Sequence, residues 1–220
     1  QSFGMQAVVI DARELTWCDG KLWANERPID LVYNRLTDFY LEDTAHQALK
    51  MAYEANAVVL TPHPQAHALY ANKHNLVRLS NAQSLTQLGI NEALQQTLLN
   101  TIPKTETVNP AKADDLWARR KQLFFKPANG YGSKATYRGD KMTRRVWEEI
   151  LQGDYVAQQL VPPSARRLQA DGIEAELKVD IRAYAYAGEI QLLAARLYTG
   201  QTTNFRTSGG GFAPVFLMPN

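Results

Sequence analysis

Residues 123–134 hold the densest potential chemistry in this chain. An apolar run, Leu123-Phe124-Phe125, delivers Lys126 and Pro127 into Asn129-Gly130-Tyr131-Gly132-Ser133-Lys134. Gly130 and Gly132 permit positive φ and close backbone approach, so that successive N–H groups can face an anion. Lys126 adds a compact positive charge beside them. By itself, a lysine before Gly-x-Gly fits an ordinary hairpin turn as well as a phosphate site. A second set lies further on. Apolar residues take the odd positions of 177–187, and Lys178, Asp180 and Arg182 take even ones. A period of two puts these three on one face of a strand. Arg196, Asn204 and Arg206 follow, with Ser208-Gly209-Gly210-Gly211 after them.

The bulk composition bounds the partners. At 220 residues and 45% hydrophobic content the chain is long enough for one large domain or two small ones. A net charge of +2 supplies no strong field for nucleic acid or an anionic membrane. The short basic groups at Arg119-Arg120-Lys121, Arg144-Arg145 and Arg166-Arg167 are too scattered to form a stripe. One cysteine, Cys18, excludes an internal disulfide and fits a reducing compartment, so the expected location is cytoplasmic. No apolar run is long enough to span a bilayer, and Gln1-Ser2-Phe3-Gly4 has no signal-peptide character. Since the chain opens without methionine, it is expected to be a fragment or a processed product of a longer protein.

The elements that must position these residues can be read from periodicity. Residues 5–10 form an apolar strand, Asp19-Gly20 marks a hairpin turn between Trp17 and Trp23, and residues 29–33 form a second strand. Helical spacing over 42–56 leads into a strand at 57–60, the alternation that builds a parallel sheet with crossovers. Asn34, Arg35 and Asp38 then fall at the strand end where open α/β sheets bind ligands, although the same residues serve equally as loop caps. Residues 65–79 read as one helix carrying Lys73, residues 84–99 as another and 113–121 as a third. Thr143 is a candidate N-cap, Val146, Trp147, Ile150 and Leu151 form the apolar face of the next helix, and Gly153 stops it. Residues 155–161 are a strand ended by Pro162-Pro163, and Gly188-Glu189 turns the chain between the last long strands. His63 and His67 are four apart, as zinc ligands can be, but Pro62 and Pro64 interrupt the helix that would align them with each other and with His74.

In this order the blocks resemble the ATP-grasp superfamily of ATP-dependent ligases. The resemblance is carried by Ala71-Asn72-Lys73, Phe125-Lys126-Pro127 with its glycine loop, Ala157-Gln158-Gln159-Leu160-Val161, and Asp180-Ile181-Arg182 followed by Arg196, Asn204 and Gly209-Gly210. Residues 180–211 are similar to the ribosomal-protein glutamate ligases. Residues 1–161 are closer to the circularly permuted glutathionylspermidine synthase type. The resemblance implies an α/β fold, α+β in its C-terminal part, as a piece of a longer chain. It divides residues into a Rossmann-like subdomain (1–82), a helical connector (83–120), a small ATP-grasp subdomain with a glycine-rich lid (121–161) and an antiparallel-sheet subdomain (162–220).

The same resemblance assigns roles. Lys73 and Lys126 would meet the phosphates of ATP, with Gly130, Gly132 and Ser133 as the lid and Asp180 beside the cofactor. Gln158, Gln159 and Val161 would line the adenine pocket, backbone groups of Gln159 and Val161 reading the base. Arg182 and Arg196 would be catalytic, neutralising charge on the transferred phosphoryl group, and Asn204 would orient phosphate or substrate. The implied enzyme joins a small-molecule or peptide carboxylate to an amine or thiol through an acyl-phosphate, using ATP and Mg²⁺. Its partners include neither nucleic acid nor membrane. The Glu-x-Asn metal motif of the family is absent from residues 180–220, so no metal ligand is assigned and the Mg²⁺ ligands are expected outside this chain. Two other classes fit the same clamp: a noncatalytic ATP- or peptide-binding module, and a phosphotransferase.

Overall fold

The structure is a computed structural model that describes residues 4–132, 134–170, 173–200 and 210–218. The chain is mixed α/β with several sheets and divides into two compact units, Gln1–Arg78 and Leu79–Asn220.

In the first unit, β1 (Thr16–Cys18) and β2 (Lys21–Ala24) form the expected hairpin. Asp19 and Gly20 hold φ of 50° and 72°, the backbone that a tight two-residue turn between twisted strands requires. A second turn at Asn25 and Glu26, also at positive φ, adds β3 (Arg27–Pro28). β4 (Leu31–Tyr33) pairs in parallel with β5 (Val59–Thr61), and the crossover runs through α1 (Gln47–Glu54). Leu49 and Ala52 of α1 bury against Leu22, Ala24, Leu41 and Leu60. The parallel pair and its crossover helix thus arise where the alternation of patterns places them.

Three of the expected elements differ in the structure. Residues 5–10 form no strand, and Met5, Val8 and Val9 are exposed. High β-propensity does not make a strand without a ladder, and none of the described strands pairs with this segment. The helix expected over 65–79 is two, α2 (Pro64–Tyr70) and α3 (His74–Leu79). Asn72 Oδ1 accepts from His74 N (2.8 Å) and Asn75 Nδ2 donates to the Leu69 carbonyl (2.7 Å), so side chains replace the helical bonds at the break. The segment 84–99 likewise divides into α4 (Ala82–Gln87) and α5 (Glu92–Thr101). Gly89 at φ 71° lets Ile90 N reach the Leu85 carbonyl (3.1 Å), and Asn91 caps α5 through Leu94 N (2.9 Å).

In the second unit the described residues form two antiparallel sheets. The first has the order β6 (Thr105–Thr107), β9 (Tyr155–Gln159), β7 (Leu123–Pro127), β8 (Tyr137–Arg138). β6 is an addition, falling in the stretch read as a helical connector. α6 (Ala113–Ala118) and α7 (Arg144–Gln152) supply Leu116, Trp147 and Ile150 to the core, which Leu123, Phe125 and Ala157 complete from the sheet. Phe125 meets Trp147 edge-on, with centroids 5.4 Å apart. Thr143 caps α7 through Val146 N (3.3 Å), and Gly153 follows its last turn, both as expected.

The second sheet runs in chain order: β10 (Ser164–Ala170), β11 (Ile173–Tyr186), β12 (Glu189–Tyr198), β13 (Gly211–Pro214). The turn between β11 and β12 is at Ala187 and Gly188, both at positive φ, one residue before the expected pair. A bulge shifts the β11–β12 register between Tyr184 and Ala185.

Among the described glycines compared with one another, buried Gly139 has the nearest backbone neighbour. A Cβ there would lie 2.0 Å from the Arg120 carbonyl oxygen. Gly139→Ala is expected to lower stability by about 1–3 kcal/mol, read from urea denaturation at constant m-value.

Candidate functional site

Antiparallel register decides which side chains can meet. Phe125 pairs with Ala157 and turns into the core, so Lys126 and Phe124 face the opposite side. Phe124 pairs with Gln158, and Gln158 in turn pairs with Thr105, so these residues share that side. Lys126 Nζ donates to Gln158 Oε1 at 2.6 Å, and Gln158 Nε2 donates to Thr105 Oγ1 at 2.9 Å. Thr105 and Gln158 are only 4% and 9% exposed. Lys126 is half-buried, its ammonium 5.6 Å from the Phe124 ring centroid. Two of the sequence-predicted cofactor residues are therefore in direct contact, and a third residue, Thr105, joins them unannounced.

The glycine loop leaves this strand at once. Ala128 is buried, with its N–H donating to the Asp154 carbonyl (2.9 Å), and the chain emerges to the surface from Asn129. Gly130 and Gly132 hold φ of 144° and 62°, and a Cβ on Gly130 would press on Pro127 Cγ at 3.2 Å. Both positions thus use the backbone freedom that only glycine offers cheaply. Lys134 Nζ donates to the Tyr131 hydroxyl (3.3 Å) and sits 4.8 Å from its ring centroid. Ser133 lies outside the described residues.

At the other end of β9, Gln159 N donates to the Lys104 carbonyl (2.8 Å) and Leu160 N to the Gln122 carbonyl (2.8 Å). The Gln159 amide is thus engaged within the sheet. Gln159 and exposed Val161 border an open groove of about 740 Å³, whose other walls include Asn81, Asn100, Ile102 and Lys104.

On the second sheet, Lys178, Asp180 and Arg182 do share one face with Arg196, because Asp180 pairs directly with Arg196. Arg196 grips the Asp180 carboxylate through both Nε and Nη2, a two-pronged ion pair. Arg182 is exposed, its guanidinium 5.8 Å from the Tyr184 ring centroid. Lys178 Nζ donates to the Gly200 carbonyl (2.7 Å). Asn204 and Arg206 lie outside the described residues.

Lys73 belongs to the first unit and sits in the break between α2 and α3, rather than within a helix. Partial burial pushes its pKa down. Nearby, His67 stacks on Phe39 with centroids 3.9 Å apart, and burial, then the charge of Lys73, lowers its pKa. His63 Nδ1 accepts from Ala66 N (3.2 Å) and so caps α2. Among the described residues no group of three His, Cys, Asp or Glu side chains converges to hold a metal ion. No helix among them is long and apolar enough to cross a membrane.

Asn34 and Asp38 organise their own loop. Asn34 Oδ1 accepts from Leu36 N (2.9 Å) and its Nδ2 donates to the Pro62 carbonyl (3.3 Å). Asp38 accepts from the amides of Glu42 (3.1 Å) and Asp43 (3.0 Å) and contacts His46 Nδ1 at 2.7 Å.

Thr105 is the site residue that the sequence concealed. Its one signal is a short β-branched run, Thr105-Glu106-Thr107-Val108, after Pro103, in a stretch otherwise read as helical. No family model matches the chain, and no curated protein matches it. Among solved structures it is similar to that of the ATP-grasp ligase PsnB complexed with minimal precursor. The match has 12% identity and a TM-score of 0.44, over 89% of this chain and 68% of that one. Similarity at this level assigns no activity to the chain.

Burial opposes the charge on Asp38, but its bonds from His46 and from the amides of Asp43 and Glu42 outweigh it, and its pKa is lowered. Its contribution to stability is complete above the unfolded carboxylate pKa of about 3.9 and is lost as pH falls through the lower folded value. In Asp38→Asn the deficit against the parent, measured by urea unfolding, is expected to be largest above about pH 5 and to shrink below about pH 4.

Proposed function

We propose that this chain carries most of the ATP clamp of an ATP-grasp ligase that joins a carboxylate to an amine or thiol. The observation that carries the reading is the 2.6 Å contact between Lys126, at the mouth of the glycine loop, and Gln158, in the strand that leads to Gln159 and Val161. It sets a cation beside a glycine loop, in a small sheet whose other end borders an open groove, the parts a nucleoside triphosphate needs. In this reading Lys126 and the N–H groups around Gly130 and Gly132, with Ser133, hold phosphates. The Gln159 carbonyl and Val161 face the base, since the Gln159 N–H already serves Lys104.

Arg182 and Arg196 stabilise charge as a carboxylate oxygen attacks the γ-phosphorus and ADP departs. The amine nitrogen or thiol sulfur then bonds the acyl carbon, inorganic phosphate leaves with the C–O bond electrons, and the proton lost by the nucleophile passes to phosphate or solvent. Asp180 holds the Arg196 guanidinium plane in place, and Asn204 orients phosphate or substrate. The chemistry requires no nucleophilic side chain, only aimed charges and exclusion of water under the loop. Magnesium would be supplied with the nucleotide. The described residues present no acidic cluster to hold it, and Asp180 is engaged by Arg196. The four-part division at residues 82, 120 and 161 belongs to the same reading.

MgATP binding measured by calorimetry tests the site. The parent chain is expected to bind and Lys126→Ala to bind at least about tenfold more weakly, as loss of a charge-assisted contact implies. Equal binding by both proteins removes Lys126 from the site. Incorporation of an amine with release of phosphate marks a ligase, whereas a stable phosphorylated product marks a phosphotransferase.

A further inference from the structure

We infer that Thr105 is a positioning residue that aims the Lys126 ammonium, acting through Gln158. The inference rests on the reading of Lys126 as a phosphate contact. Donor and acceptor chemistry fixes the direction of each bond in the relay. An ammonium only donates, so it must meet the amide oxygen of Gln158 at 2.6 Å. The amide NH₂ then faces Thr105 Oγ1 at 2.9 Å, and that oxygen must accept. The hydroxyl proton is left for the Pro103 carbonyl, which Oγ1 reaches at 2.8 Å. The far end is anchored as well. Thr105 N donates to Ser80 Oγ (3.0 Å), and Thr105 pairs with Gln158 in the sheet. The bond between Gln158 and Thr105 is buried, so water competes little for it.

The consequence concerns a long, flexible side chain. A lysine that must be ordered when ligand arrives loses rotamer freedom at that moment, whereas one held beforehand loses it during folding. Gln158 supplies this hold as a neutral amide. A carboxylate at the same place would add a negative charge where an anion is to bind.

Thr105→Val keeps the shape and removes the hydroxyl, leaving Gln158 Nε2 without its acceptor; Thr105→Ser restores it. The MgATP dissociation constant is expected to rise about tenfold in Thr105→Val and to stay within about twofold of the parent in Thr105→Ser. The Lys126 ammonium ¹⁵N resonance, assigned by its absence from Lys126→Ala, is expected to be sharp in the parent and in Thr105→Ser and lost in Thr105→Val. A role confined to stability would lower the unfolding temperature of Thr105→Val and leave both readouts of the folded protein unchanged, which overturns the inference. If Lys126→Ala loses ATP and Thr105→Val keeps it, positioning fails and the clamp stands. If the parent binds no ATP, the clamp fails and the ammonium resonance alone decides the positioning. Should Thr105→Val not fold, Gln158→Met breaks the same relay at its middle and is read in the same way.

Discussion

The pairing of β7 with β9 is the constraint on which the site depends. Five residue pairs, from Leu123 with Gln159 to Pro127 with Tyr155, hold the two strands in register. Because side chains alternate, seating Phe125 against Trp147 in the core obliges Lys126 to face the other way. A slip of one residue would bury the lysine and expose the phenylalanine. Packing on one side of a thin sheet therefore sets the chemistry on the other. The helices α6 and α7, far apart in sequence, serve the site chiefly by making that slip costly.

The second sheet meets a different problem, the placement of cations without mutual repulsion. Lys178, Arg182 and Arg196 crowd one face, and each is handled differently. Lys178 donates to a backbone carbonyl, Arg196 is locked to Asp180, and Arg182 lies exposed beside Tyr184. The Asp180 pair keeps Arg196 rigid at the cost of two of its five donors and much of its net charge. Arg182 is the more adaptable cation on this face.

Much of this was legible in the residues, and the failures have separate causes. The Asp19-Gly20 hairpin, the parallel β4–β5 crossover, the α7 caps and the common face of Lys178, Asp180 and Arg182 all follow from local chemistry or strict periodicity. Helix breaks at Asn72 and Gly89 escape the periodicity because apolar spacing continues across them, while side-chain bonds and a left-handed glycine end the helices. Residues 5–10 carry strand chemistry without a described partner strand. Thr105 was hidden for the opposite reason: β6 is only three residues long, and its strand character comes from pairing with Tyr155–Gln159, about fifty positions away. Pairing partners at that distance leave almost no trace in a local pattern.

The bulge between Tyr184 and Ala185 has a mechanical meaning of its own. On its inner side the ladder runs unbroken from Lys178 with Tyr198 to Tyr184 with Leu192, a frame that contains Asp180, Arg182 and Arg196. On its outer side Ala185 pairs with Ile190, and Gln191 is the residue left over. The ribbon beyond it is thereby uncoupled in phase from the charged rows. Residues gained or lost around the Ala187-Gly188 tip can be absorbed there, so the outer end of this hairpin is free to drift in length and composition while the arrangement of arginines stays in step.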